Sequence, residues 1–209
     1  GSEEKRGTSG SQPRPNSIGI IFCYCDSSKR NRTSGREPPY RPIAVQLRAK
    51  GHDDCPSPLL DRLLEATRPG RIPLIINDRA DWLTEGCDGL HLGQDDGASP
   101  DLDVLLGRST HDLAQVRAAC RDPRVDHLGF GPVASTSSKA NALSPRGLPL
   151  LGEAVKAADG KPVIAIGGIV KETLPAIKAL GAHGAAVIGA VFHQPDPAKA
   201  FAALCEAWR

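Results

Sequence analysis

Two acidic residues, Asp78 and Asp96, each close a short apolar run: Pro73-Leu74-Ile75-Ile76 passes into Asn77-Asp78, and Gly89-Leu90-His91-Leu92 into Gly93-Gln94-Asp95-Asp96. With a helix-compatible segment at 79–86 between them, these runs predict a strand, helix, strand unit whose strands end in carboxylates. In a parallel α/β fold, neighbouring strand ends open on one face. The two carboxylates then reach one hard cation from two sides, as a Mg2+-phosphate site requires. Asp78 could equally cap a helix starting at Arg79, but capping leaves the second acid unexplained. Other polar groups recur in the same relation to apolar runs. Gln46, Arg48 and Lys50 alternate in VQLRAKG and so face one side of an extended segment. Ser109, Thr110 and His111 follow the next run, and Thr136, Ser138 and Lys139 lie in GPVASTSSK. Gly167-Gly168 and Ile188-Gly189 end two more runs. Glycine amides beside a helix start cradle phosphate, while Arg48, Lys50 and Lys139 with Asn77 suit a second, more highly charged group. Two anion stations imply two phosphorylated substrates.

The elements that must position these groups are short strands alternating with amphipathic helices. Strands are predicted at 18–24, 43–47, 73–77, 88–92, about 104–108, 126–130, 162–166 and 184–188. Helices are predicted at 57–67 (with Ser57 as cap ahead of Pro58), 79–86, 112–120, 148–158, 171–180 and 196–207. Runs such as PVIAIGG and GAAVIGAV are apolar throughout, as strands covered on both faces are. Eight such strands predict a single-domain (β/α)8 TIM barrel, whose loops at the strand C-termini carry function. Two crossovers are too poor for full helices. The segment after the first strand has no helical period and three prolines, and DGASPDLDV is short and broken. Residues 1–17 are polar and rich in Pro, Gly and Ser, and are expected to be disordered. The barrel is expected over 18–209.

Composition narrows the function classes. A chain of 209 residues is long enough for one sizeable core, and a net charge of +2 without a basic run points to neither nucleic acid nor an anionic membrane. Four Phe, two Trp and two Tyr give no stacking platform for single strands. No apolar run is long enough to span a bilayer and no signal-peptide core is evident, so a cytoplasmic location is expected. The six cysteines form no CxxC pair, which points to idle or buried thiols. Single lysines, arginines and Ser/Thr loops are ordinarily solvated surface, and His91 on a predicted strand reads as a packed, hydrogen-bonded residue. His111 suits a helix start or a general acid/base equally. What selects the set is its recurrence at equivalent points of the repeat.

In order along the chain, QLRAK, IINDRAD, DGLHLGQDD, the Ser-Thr-His, GFGPVxxTxSK, AIGGI and AAVIGAV resemble the thiamine phosphate synthase family, which shares a superfamily with thiazole tautomerases. The resemblance runs from about Ile43 to Trp208. It implies a barrel that joins a pyrimidine methyl diphosphate to a thiazole phosphate, releasing pyrophosphate and forming thiamine monophosphate. It further implies that Gln46, Leu47, Arg48, Ala49, Lys50, Asn77, Ser109 and Lys139 hold the pyrimidine diphosphate, with Asp78 and Asp96 as Mg2+ ligands. Thr136, Ser137, Ser138, Gly168, Ile188 and Gly189 would hold the thiazole phosphate, and Arg48, Lys50, Ser109 and Lys139 would serve catalysis. The implied chemistry is dissociative, which agrees with the lack of an evident nucleophile.

Ser138 stands where the family usually has threonine and keeps the hydroxyl; Gly189 stands where it usually has serine and keeps only the backbone amide. The poor first and fourth crossovers should leave apolar barrel surface exposed, so reduced stability or a homo-oligomer is expected. Two other readings accompany the synthase. One is a thiazole tautomerase moving protons with a histidine such as His111, which has no need of the acidic pair. The other is a degenerate barrel that only binds phosphorylated ligands.

Overall fold

Alternation of apolar and small or polar residues along the strands gives each a face for helices and a face for the lumen. The computed structural model describes residues 17–23, 44–49, 53–136 and 143–209. Strands β2 (Ala44–Arg48), β3 (Leu74–Asn77), β4 (Gly89–Leu92), β5 (Leu105–Thr110), β6 (His127–Phe130), β7 (Val163–Ile166) and β8 (Gly184–Val187) pair in that order, all parallel. The curled sheet has β1 (Ser17–Cys23) between its two edges, antiparallel to both β2 and β8. The expected eight parallel strands are thus corrected to an α/β fold with a seven-stranded parallel curled sheet. A parallel first strand needs a long crossover, usually helical, and the sequence between β1 and β2 has no helical pattern. Residues 1–16, most of the segment expected to be disordered, lie outside the described residues, and Ser17 already belongs to β1.

Helices α1 (Ser57–Thr67), α2 (Leu113–Arg121), α3 (Gly147–Ala157), α4 (Leu174–Ala179) and α6 (Pro197–Trp208) meet five of the six helix expectations. A further helix of four residues, α5 (Gly189–Phe192), lies outside these expectations. Asp112 caps α2 by accepting from the Gln115 amide at 2.8 Å, and Asp196 caps α6 by accepting from Lys199 at 3.0 Å. The cap position of α1 is Pro56 rather than Ser57, because the helix already begins at Ser57. The helix expected at 79–86 is reduced to a 3-10 turn, Ala80–Trp82. Eight residues ending in Gly86, which adopts φ 94°, are too few to repay helix nucleation, and Trp82 anchors the turn by burial instead.

The outward face of the sheet, including Leu47, Ile76, Leu90, Leu128, Phe130 and Val163, packs against Leu60, Val116, Leu151, Leu174, Ile177 and Trp208 of the helices. The lumen has a smaller apolar cluster of Ala44, Ile75 and Ile164, with Ile166 and Ala186 against it.

The fourth crossover is held by two arginines in place of a helix. From β5, Arg108 donates to the carbonyls of Gly93 and Gly97, both at 2.9 Å, and to the Ser99 hydroxyl at 3.1 Å. Arg124 donates to the Ser99 carbonyl at 2.5 Å and pairs with Asp122 at 3.0 Å. Leu102 and Leu105 nevertheless stay 47% and 44% exposed, as a crossover without a helix predicts. The hydrogen bond from Arg124, followed by one involving Ser99, holds the Asp122 carboxyl far below the usual carboxylate range. A depressed carboxyl stabilises the fold above its unfolded value of about 3.9, and that contribution is lost as pH falls toward the folded value. Asp122→Asn should therefore be less stable than the parent in denaturant titrations at pH 7, with the gap narrowing by pH 3; an equal gap at both pH values would contradict the role of the charge.

Candidate active site

Along β2 and into the residue after it, Val45, Leu47 and Ala49 are buried against the helix layer, while Gln46 and Arg48 alternate with them and stay half-buried toward the lumen. Leu47 and Ala49 are thus left with only their backbone for a ligand. Gln46 Nε2 is buried and has no hydrogen-bond partner among the described residues. A donor in that state favours a ligand acceptor, because a buried unpaired N–H loses its hydration without compensation. Burial works against the Arg48 charge and lowers its pKa, while the carboxylate of Asp78 pulls it back up. A guanidinium short of water beside a single acid is suited to an added anion.

Asn77 ends β3, and Asp78 follows in the left-handed region at φ 65°. That backbone state is uncommon outside glycine, though aspartate tolerates it. The amide of Asp78 continues the ladder by donating to the His91 carbonyl at 2.8 Å. The following turn has Arg79 at its cap position and no side-chain cap, so capping does not account for Asp78. Arg79 steadies the loop instead. It pairs with Asp81 at 2.6 Å, lies 4.4 Å from the Trp82 ring centroid and donates to the Asp53 carbonyl at 2.8 Å. After β4, Asp96 Oδ2 accepts from the Gly93 amide at 2.5 Å, folding GQDD into a turn that leaves the other oxygen for a further partner.

Ser109 stands near the end of β5, its hydroxyl 3.0 Å from His91 Nε2 and its carbonyl bonded by the Gln94 amide. His91 is buried, as expected of a packed, hydrogen-bonded residue. His111 Nδ1 lies 2.5 Å from the Gly131 carbonyl, and its amide donates to Gln115 Oε1 at 2.7 Å. Its ring therefore holds the start of the β6 loop.

That loop docks on the strand-seven glycines: Val133 donates to the Ile166 carbonyl at 2.8 Å and Ala134 to that of Gly167 at 3.0 Å. Gly167 and Gly168 both have positive φ, 90° and 66°. A Cβ on Gly168 would lie 2.5 Å from the Ser135 carbonyl oxygen, so this close approach requires glycine. Thr136 follows in the same loop, half-buried. Ile188 is the cap of α5 and Gly189 its first residue; the Val191 and Phe192 amides already donate to the Ile188 carbonyl, at 3.1 and 2.8 Å. Lys50, Ser137, Ser138 and Lys139 lie outside the described residues.

A family model described as thiamine monophosphate synthase matches residues 40–191. The chain belongs to the thiamine monophosphate synthase family. A thiamine-phosphate synthase of Anaeromyxobacter dehalogenans (strain 2CP-C) is 41% identical over 174 residues, covering 77% of this chain and 75% of its own. A thiamine-phosphate synthase of Synechococcus sp. (strain CC9605) is 42% identical over 169 residues, 75% of this chain, but the chain spans only 46% of that relative. Among solved structures, thiamine phosphate pyrophosphorylase from Pyrococcus furiosus superposes with a TM-score of 0.64 at 27% identity, over 75% of this chain and 79% of that one. Membership of a family of transferases meets the expectation drawn from the motifs.

Sequence reasoning overlooked Gln94, Gly107, His127 and Gly129, which shape the lumen around Ser109. Their signal was present in the period of two: Gly107 and Ser109 alternate with Leu106, Arg108 and Thr110 on β5, and His127 and Gly129 with Leu128 and Phe130 on β6.

Gly168→Ala should destabilise the fold by about 1–3 kcal/mol through overpacking in addition to backbone strain. Gly97→Ala, also at positive φ but with nothing within 4 Å of the added carbon, should cost less. Urea unfolding of the two variants measures the difference, and equal losses would show that the contact with Ser135 is unimportant.

Proposed function

We infer that this chain is a thiamine-phosphate synthase that condenses 4-amino-2-methyl-5-pyrimidinylmethyl diphosphate with thiazole phosphate, giving thiamine monophosphate and pyrophosphate. The observation that carries the reading is the joint condition of Gln46, Arg48 and Asp78. A buried amide donor without a partner lies on the same strand face as a half-buried guanidinium that interacts with a strand-end carboxylate. A polar heterocycle carrying a diphosphate supplies an acceptor for the first and an anion for the second. In this reading Gln46 to Lys50, Asn77, Ser109 and Lys139 hold the pyrimidine diphosphate, and Thr136 to Ser138, Gly168, Ile188 and Gly189 hold the thiazole phosphate.

In the same reading Asp78 and Asp96, each in the loop that follows a strand, would hold a divalent cation. Among the described residues no group of three or more His, Cys, Asp or Glu is arranged for a metal, and Mg2+ commonly takes one or two carboxylates, with water and substrate phosphate completing its shell. The bound ion would neutralise charge on the departing diphosphate. Arg48, Lys50 and Lys139 contribute positive charge to the same leaving group, and Ser109 offers a hydroxyl. As the bond from the pyrimidine methylene carbon to the diphosphate oxygen breaks, both electrons leave with pyrophosphate; the thiazole nitrogen then donates its lone pair to the resulting cation. Such a reaction relies on charge stabilisation and on the two substrates being held face to face.

The isomerase reading gains no observation of its own: the Gly131 carbonyl orients the His111 ring through Nδ1, while the strand-end acids Asp78 and Asp96, which that reaction does not need, are retained. No helix among the described residues is long and apolar enough to cross a membrane.

Purified protein mixed with both substrates and Mg2+ should form thiamine monophosphate, measured by fluorescence after oxidation. Asp78→Ala should lower the rate roughly 100-fold or more while leaving thiazole phosphate affinity nearly unchanged by calorimetry. Equal loss of both would contradict the division of the site, and tautomerisation without synthesis would replace this reading with the isomerase.

A further inference from the structure

We propose that His127 is a positioning residue that acts through His91 to fix the direction in which the Ser109 hydroxyl donates its hydrogen bond. The proposal rests on the functional reading above, which puts Ser109 on the pyrimidine diphosphate.

The register makes this arrangement. His91 pairs with Gly107 and Gly107 with His127, so the two histidines stand level with a glycine between them. A Cβ on Gly107 would lie 2.3 Å from His91 Nδ1 and 2.4 Å from His127 Nε2. The rings therefore meet across space that any other residue would fill, with these nitrogens 3.4 Å apart and the ring planes tilted by 41°. The opposite edge of His91 faces the Ser109 hydroxyl at 3.0 Å, and Gly129 leaves room for the ring. The Asp126 carboxylate beside His127 is engaged by the Leu106 amide at 2.7 Å.

Burial lowers the His127 pKa and outweighs the opposing charge of Asp126, which favours the neutral ring. A neutral imidazole has one donor and one acceptor nitrogen, so the states of the row are linked. For Ser109 to donate toward a substrate oxygen, its own oxygen must accept from His91 Nε2–H. His91 Nδ1 is then an acceptor, and His127 must supply Nε2–H. The reverse tautomer of His91 turns the serine hydrogen back toward the ring. A donor at position 127 holds the row in the substrate-facing sense.

The experiment compares His127→Leu, which has no donor, with His127→Gln, which offers an amide N–H, at matched thermal stability. His127→Leu should lower kcat/KM for the pyrimidine diphosphate roughly three- to tenfold, the equivalent of one hydrogen bond, with KM for thiazole phosphate unchanged; His127→Gln should recover most of the loss. In a Ser109→Ala background, His127→Leu should have no further effect. Equal losses for Leu and Gln, or an undiminished loss without Ser109, would overturn the proposal. Nitrogen-15 spectra of the unsubstituted protein with the pyrimidine diphosphate bound give a second measurement that does not depend on folding of the variants. Nε2–H on both histidines is expected, and Nδ1–H on His91 would also overturn it. Failure of the unsubstituted protein to make thiamine monophosphate would refute the functional reading separately, by an assay that does not depend on His127.

Discussion

A parallel ladder holds neighbouring strands in fixed register, and with a side-chain period of two that register decides which groups share the lumen. Pairing of Gln46 with Ile75, Asn77 with His91, His91 with Gly107 and Ser109 with Gly129 sets the heights of the groups on β2 to β6. A slip of one residue in β2, β3, β4 or β6 would turn Leu47, Ile76, Leu90 or Leu128 out of the helix layer and into the lumen. Each of those four side chains is fully buried, and losing such a contact costs on the order of 2–5 kcal/mol. Outward packing thereby enforces the inward geometry. The chemistry of the rim depends on it.

The lumen itself is lightly packed with hydrocarbon. Below the rim lie Ala44, Ile75 and Ile164, while the β4 to β6 side carries His91, Ser109 and His127, with glycines at 107 and 129. Polar side chains here are satisfied by one another, as the 3.0 Å contact between His91 and Ser109 illustrates. Gln46 differs, because its amide nitrogen is buried without a partner among the described residues. One wall is internally hydrogen-bonded, and the other retains unmet hydrogen-bonding capacity. A ligand that bridges them gains from both conditions.

Most of this was legible in the sequence because burial on both faces leaves a simple signature. Runs such as Val163–Ile166 and Gly184–Val187 contain little except apolar and small residues, and their positions were read to within a residue or two. The strand-end acids and the paired glycines were also visible, since a polar residue abutting an apolar run stands out by contrast. Short-range features failed where tertiary contacts overrode local preference. The segment 79–86 has helical composition, yet Arg79 is drawn into an ion pair with Asp81 and Trp82 into the core, leaving a single 3-10 turn. Gly107 and His127 were passed over because a lone glycine or histidine on a strand reads as unremarkable until the partner strand is known. Their significance depends on a pairing register that no local pattern encodes.

The reversed β1 shows which part of the architecture the chemistry requires. In an eightfold parallel barrel every strand delivers its C-terminal end to the same rim, whereas an antiparallel strand delivers its N-terminal end there. β1 therefore satisfies ladder groups on β2 and β8 without presenting the usual strand-end loop. The family match begins at residue 40, just before β2, and the candidate site starts at Gln46. Every described group of the candidate site comes from β2 to β8 or the loops that follow them. The parallel sheet alone thus supplies the described candidate-site residues, and the first strand contributes edge pairing. That division explains how a sequence with no recognisable first helix retains Gln46, Arg48, Asp78, Asp96 and Ser109 at matching positions of the repeat.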